Sequence, residues 1–411
     1  MNERKKATQN IVMLYGLNFA QLVLPLLTLP YLTRVLSVDG YGVVSYVKAI
    51  MVYMTLIVEF GFILSGTREV VNARNKKEEI SRIIGKITQG KLFLALISFT
   101  LLVILTKFIP ILSRHTLFTF LSFGPTFLSI FLFDYLFRGL EKMQLLTVRY
   151  LLAKGISTLL TFFVIKGDKQ IILIPILDIL GSTVAILWII SELKKYNIKI
   201  KFVTLREVFA NLKLSFIYFL SNIAETAFST LNTICVGIFF SSADVAYWGV
   251  VMTVINAIQS MYSPISDGIY PNMIKTKDLN LFIKIITFFI PFLILGSLVL
   301  YFESSLIVII IGGAKYLIAA NYLREFIPLI IISFFSILFG WPLLGAIDKV
   351  KETTFTTVLA SIFQTIGIAV LILSHSFTIE LLIILRTITE LLIATLRLRF
   401  AIKFRSEFKN T

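Results

Sequence analysis

The 411-residue chain contains one cysteine and two histidines. A lone thiol, Cys235, excludes an internal disulfide framework. His115 and His375 fall between apolar runs, without metal-ligand spacing. They leave no histidine base to pair with a serine or cysteine nucleophile inside an apolar block. Acidic side chains are scarce, 23 against 39 basic ones. No stretch is long and polar enough to form a soluble domain. No small-residue cleavage site follows Arg4, Lys5 and Lys6, so the first apolar run is expected to remain as a membrane span. Gly85–Leu92 (GKITQGKL) approaches a phosphate-binding loop, but the terminal Ser/Thr and a preceding strand are both missing. Nucleotide-driven chemistry and a nucleotide cofactor are therefore not expected.

Apolar residues make up 57% of the chain and mean hydropathy is +0.90. Soluble proteins hold about 45–50% apolar residues, and here the excess sits in blocks. With about 20 apolar residues per crossing, the length allows roughly ten to twelve spans. The pattern predicts twelve helices, over 10–36, 41–65, 89–108, 116–138, 144–165, 170–192, 211–240, 244–268, 282–302, 322–346, 353–374 and 378–398. Residues 303–321 are apolar but split by Gly312 and Gly313, and are read as interfacial or re-entrant. The expected fold class is all-α and polytopic, about twelve transmembrane helices in two parallel six-helix lobes around a central cavity. The lobes are 1–200, including the basic connector Lys194–Arg206, and 201–411.

Charge placement supports this order. Of the 39 basic residues, 30 are assigned to the termini and even-numbered connections and 6 to the odd-numbered ones. Arg34, Lys48 and Arg386 lie within spans. By the positive-inside rule both termini are expected in the cytoplasm. The +16 net charge is then topogenic and lipid-facing, and nucleic acid is not needed to explain it. An internal repeat is visible: Ser37–Val44 (SVDGYGVV) resembles Ser242–Val251 (SADVAYWGVV). Each copy links a long polar-striped helix to the next through a very short loop. Parallel repeats of this kind are a transporter pattern.

Polar side chains recur at helical spacing inside these blocks. Tyr41, Ser45, Lys48, Thr55 and Glu59 share an arc of the second helix. Ser215, Tyr218, Asn222, Glu225, Ser229 and Asn232 do so in the seventh. Gly249, Thr253, Asn256, Ser260, Ser263 and Asp267 do so in the eighth. Asn18, Gln21, Pro25 and Thr28 share a face of the first helix. Pro25 and Pro30 are expected to kink that helix. Arg34 is then either part of the lining or a cation snorkelling to the outer interface. In lipid such faces must turn inward. Either they are hydrogen-bonded glue between helices, or they line an aqueous path with Lys48 and Glu225 near mid-membrane. Asp178, the Arg386/Glu390 pair, and Asp134 with Arg138 one turn away are read as structural pairs.

Several of these residues carry a family likeness. Pro25–Leu36 (PLLTLPYLTRVL) followed by Gly40-Tyr41-Gly42 resembles the opening of the Wzx-type oligosaccharide flippases. Gly61-Phe62 with Ser65–Glu69, and Asp134–Met143, are similar to the same family; the usual Trp and Gln are replaced by Tyr135 and Arg138. The likeness implies the multidrug/oligosaccharidyl-lipid/polysaccharide exporter fold and alternating access. It also implies, as substrate, an oligosaccharide on undecaprenyl diphosphate, moved across a bacterial plasma membrane. No catalysis is implied. Under it, Lys48 and Arg34 would meet the diphosphate, and Asn18, Gln21, Asn222, Asn232 and Asn256 the sugar. Glu59, Glu225 and Asp267 complete the candidate substrate-binding set. Implied partners are the lipid-linked oligosaccharide, membrane lipids, H+ or Na+ as coupling ion, and a polysaccharide polymerase or glycosyltransferases. The competing readings are a cation-coupled small-molecule exporter of the same fold, relying on Glu225 and Asp267, and a membrane glycosyltransferase or polymerase. The last would need larger outer loops.

Overall fold

The computed structural model describes residues 3–74 and 76–408, with side chains except at 3–11, 221, 224, 225 and 227–229. Helices account for nearly all of it, and no strand occurs among the described residues. In chain order the α-helices are α1 Glu3–Val35, α2 Val38–Glu59, α3 Phe62–Asn72, α4 Lys77–Phe108, α5 Pro110–Arg114, α6 Thr116–Leu128, α7 Asp134–Gly139, α8 Met143–Tyr150, α9 Ile156–Val164 and α10 Leu173–Lys195. They continue with α11 Leu205–Phe239, α12 Ser242–Ser260, α13 Ser263–Thr276, α14 Leu279–Phe302, α15 Ser304–Gly312, α16 Ala319–Glu325, α17 Ile327–Leu338, α18 Val350–Leu373 and α19 Ile379–Lys403. Among the described residues, nine helices or kinked helix pairs are long and apolar enough to cross a membrane. α19 falls outside that set because Arg386, Glu390 and Arg397 interrupt its apolar run.

The chain forms two compact units, Met1–Ile223 with Gly237–Ala243, and Ala224–Val236 with Asp244–Thr411. In the first, Ser37 caps α2 by accepting the Gly40 N–H at 2.9 Å, and its own N–H donates to Asp168 at 2.9 Å. The Tyr31 hydroxyl donates to the Phe162 and Ile165 carbonyls. The end of α1, the start of α2 and the end of α9 are thereby tied together. The expected second helix is in fact broken, with Phe60 and Gly61 both left-handed. At Gly61 a side chain would also meet Tyr218 Cβ at 2.6 Å and the Phe219 nitrogen at 2.9 Å, so glycine is required twice over. α3 then packs on α7 through Gly66, which lies against the Tyr135 ring, and Gly139, which lies against Val70.

The third helix begins twelve residues before its expected start. Hydropathy discounts the charged stretch from Lys77, but Ile80, Ile83, Ile84 and Ile87 recur on one face and are buried with Phe62, Leu136 and Leu146. The expected 67–88 loop therefore shrinks to a turn after α3. α1 is one continuous helix with Pro25 and Pro30 inside it.

In the second unit α19 packs on α17 and α18, as α10 packs on α6 and α9 in the first. α13 packs on the broken stretch Phe339–Leu344 as α3 packs on α7. The sequence repeat thus extends to the order of helix contacts. α15 and α16 are separated at Gly312-Gly313 and pack on each other. At nine residues α15 is about 14 Å long, less than half of a ~30 Å hydrocarbon core.

Candidate functional site

In the first unit the arc of α2 read from the sequence faces other helices of the same unit. Thr55 exchanges a hydrogen bond with Thr126 of α6 at 2.9 Å. Glu59 accepts from Lys91 of α4 at 2.7 and 2.8 Å, and from Ser129 at 3.4 Å. Lys91 is only 2% exposed. An ammonium this buried is tolerated because its carboxylate is bound in the same place. Below it, Arg149 pairs with Asp134 at 2.8 Å. The expected partner of Asp134 was Arg138, one turn along; the ion pair forms across helices instead. Glu141 pairs with Arg74 at 3.0 Å.

Lys48 differs from all of these. It is exposed, yet the residues flanking it, Val47 and Ala49, are buried. It lies within electrostatic reach of Asp178 and Lys154. Those two are already paired with each other at 3.0 Å, and Ser157 donates to the same carboxylate oxygen at 2.6 Å. Among the described residues no carboxylate comes within ion-pair distance of Lys48. The middle of the first unit therefore holds two ammoniums and one carboxylate, a chemical arrangement suited to an anion.

The other candidates separate into reachable and packed groups. Asn18 and Gln21 are exposed on α1, whose Leu17, Ala20 and Leu29 are buried. Arg34 is exposed in the last turn and donates to the Pro30 carbonyl at 2.9 Å. Asn222 is half-buried on α11, and Ser215, lower on the same stripe, is buried against Ser65 at 2.7 Å. The side chains of Glu225 and Ser229 lie outside the described residues. Asn232 is fully buried and accepts from Gln364 of α18 at 2.8 Å, while Thr389 of α19 donates to Gln364. It is a helix contact here rather than a surface open to substrate. Asn256 and Asp267 are exposed, but α12 ends at Ser260 and α13 starts at Ser263, so the stripe of the expected eighth helix is broken between them.

Lys91, Arg149, Lys154 and Arg397 are counted with the cytoplasmic connections by sequence position. All four lie among packed helices, which trims that tally without reversing it. The segment resembling a phosphate loop is mid-helix. Gly85 faces the Lys201 carbonyl, and Gln89 exchanges hydrogen bonds with the Val203 backbone at 2.8 and 3.1 Å. A separate concavity of about 740 Å³ lies beside Glu69, Lys76, Arg82, Lys86 and Glu207. Its charges are largely spent on each other, as in Lys86–Glu69 at 2.7 Å and Arg82–Glu207 at 3.0 Å. The Thr204 hydroxyl and Arg82 hold the Glu207 carboxyl below its usual range.

The all-α polytopic architecture is similar in fold to solved members of the MOP superfamily. It superposes on an inward-facing multidrug resistance MATE family transporter with a TM-score of 0.71, covering 97% of this chain and 99% of the other at 12% identity. It superposes on the lipid II flippase MurJ, in an inward closed conformation, with a TM-score of 0.68, covering 96% and 87% at 17% identity. Residues 7–277 match the model of a family described as polysaccharide biosynthesis protein, and the chain belongs to that family. Two relatives carry the name "Putative O-antigen transporter". The one from Escherichia coli (strain K12) is 27% identical over 68% of each chain. The one from Shigella dysenteriae is 26% identical over 82% of this chain and 86% of its own.

Proposed function

We propose that this protein carries short oligosaccharides, linked to undecaprenyl diphosphate, from the inner to the outer leaflet of the bacterial plasma membrane for surface polysaccharide assembly. It works by alternating access, with both termini in the cytoplasm. The observation that carries this reading is Lys48, a cation without an ion-pair partner among the described residues, ten residues inside an apolar helix. A lone charge at such depth costs roughly 2.5–3.5 kcal/mol on insertion scales. A substrate that brings phosphate into the membrane gives that charge a purpose. The family membership and the names of the two relatives support the same substrate class. Exposed amides at Asn18, Gln21 and Asn256 offer hydrogen bonds to sugar hydroxyls. H+ or Na+ is the proposed coupling ion.

The test is deletion of the gene with the glycosyltransferases left intact. Undecaprenyl-diphosphate-linked oligosaccharide should accumulate on the cytoplasmic leaflet while surface polymer disappears. Normal surface polymer in the deletion strain would overturn the proposal.

A further inference from the structure

Asp178 was expected to be a structural charge, but the partner it has, Lys154, and the setting of the pair point elsewhere. Lys154 lies in a π-helical turn, Leu151–Gly155, between α8 and α9. Such turns widen a helix by one residue and are found disproportionately at functional sites. α10 comes close to this turn because Gly181 lies directly on the Ala153 carbonyl, where any side chain would collide. That approach places Asp178 within 3.0 Å of Lys154, with the Ser157 hydroxyl on the same oxygen.

Lys154 and Lys48 also share a depth. The start of α2 and the end of α9 are tied at one end of the unit through Ser37–Asp168 and Tyr31. Lys48 lies ten residues after Val38 and Lys154 ten before Val164, so each is about 15 Å from that common end. Unlike Lys91, Lys154 is accessible, with 45% of its side chain exposed against 18% for Asp178.

Resting on the flippase reading, we infer that Lys154 is a second diphosphate-binding residue beside Lys48, and that Asp178 is the resident anion occupying Lys154 when no substrate is bound. A diphosphate diester carries a negative charge on each phosphate, one for each ammonium. While it is bound, Asp178 keeps the Ser157 hydroxyl. When it leaves, Asp178 returns to Lys154, so the empty site holds one uncompensated cation instead of two. The carboxylate thus weakens substrate binding and eases the return of the empty carrier.

The purified full chain in lipid nanodiscs is titrated with undecaprenyl diphosphate and with undecaprenyl monophosphate, and thermal unfolding of each variant is recorded. Lys154→Gln should weaken the diphosphate about tenfold and the monophosphate much less, and Lys154→Arg should stay within about threefold of the unaltered protein. Asp178→Asn should bind the diphosphate about three- to tenfold more tightly, because the competing anion is gone. If the unaltered protein and Lys48→Ala bind differently but both 154 and 178 variants match the unaltered protein, Lys154 and Asp178 are a packing pair and this inference falls alone. If the unaltered protein binds neither lipid, the flippase reading falls with it. Should Lys154→Gln fail to fold, Asp178→Asn decides: tighter binding supports the assignment, and unchanged or weaker binding overturns it.

Discussion

The two units handle intramembrane charge differently. In the second, Glu390 accepts from Ser336 and interacts with Arg386. Arg397 donates to the Ser336 carbonyl at 2.6 Å and to Thr356 and Thr357 at 3.2 and 3.0 Å. Asn232, Gln364 and Thr389 form a neutral chain among α11, α18 and α19. Glu390, Asn232, Gln364 and Thr389 are buried, Arg397 is partly buried, and each of them bonds to a neighbouring helix. In the first unit, Lys91 and Arg149 are bound in the same manner, but Lys48 is left over and Lys154 stays within reach of solvent. Depth in the membrane therefore does not identify a site. What distinguishes a ligand-seeking charge from packing is whether the protein already supplies its partner.

That contrast can be broken at its strongest point first. Glu59→Gln removes the partner of a 2%-exposed ammonium, and breaking such a pair costs about 3–5 kcal/mol. The variant should be nearly absent from membranes by immunoblot, and Glu59→Gln/Lys91→Met should restore its level. Normal abundance of the single variant would show that the pair is not holding the unit together.

Lys48→Ala should have the opposite signature: normal protein level and surface polysaccharide reduced at least tenfold, a loss of about 1.4 kcal/mol or more. Lys48→Arg should keep part of the export. Wild-type export by Lys48→Ala would remove Lys48 from the substrate path.

Gln364→Ala leaves Asn232 and Thr389 without their shared partner, a loss of about 1–3 kcal/mol for buried polar groups. It should lower the unfolding temperature while export per folded molecule stays near normal. A specific export defect at full stability would return Asn232 to the substrate-binding set.

The gentlest test uses thiol labelling in a Cys235→Ala background. A cysteine at the exposed Asn256 should react with a small water-soluble reagent, and one at the buried Asn232 should not. Lys77→Cys and Asp244→Cys should label from opposite sides of the membrane if the positive-inside orientation holds.

Much of the fold was legible because hydropathy blocks, glycine breaks and the Ser37/Ser242 repeat are local in sequence. The start of α4 was not, since its charges mask the isoleucine face that buries it. The site was legible in part. Lys48 is conspicuous because no other charge lies between Asp39 and Glu59 of its helix. Asp134 misled because its true partner, Arg149, lies on another helix, while Arg138 sits at the spacing an isolated helix favours. Asn232 looked like lining because its partner, Gln364, is 132 residues away. Lys154 escaped attention because a π turn leaves no simple signature in the residue pattern.

The strap formed by residues 199–203 decides where this polypeptide can be divided. It runs along α4 through Ser81, Gly85 and Gln89, and α11 begins two residues later, burying Val208 and Leu212 in the core of the first unit. The obvious place to cut a two-lobe chain, its basic connector, is thus part of one lobe's own packing. Two gene fragments meeting near residue 200 would give a first half with a bare groove on α4 and a second half whose leading helix has lost its seat. A break among the exposed residues Ser374, His375 and Ser376, between α18 and α19, leaves the 199–203 strap whole. Fragments joined there are the better starting point for coexpressed halves.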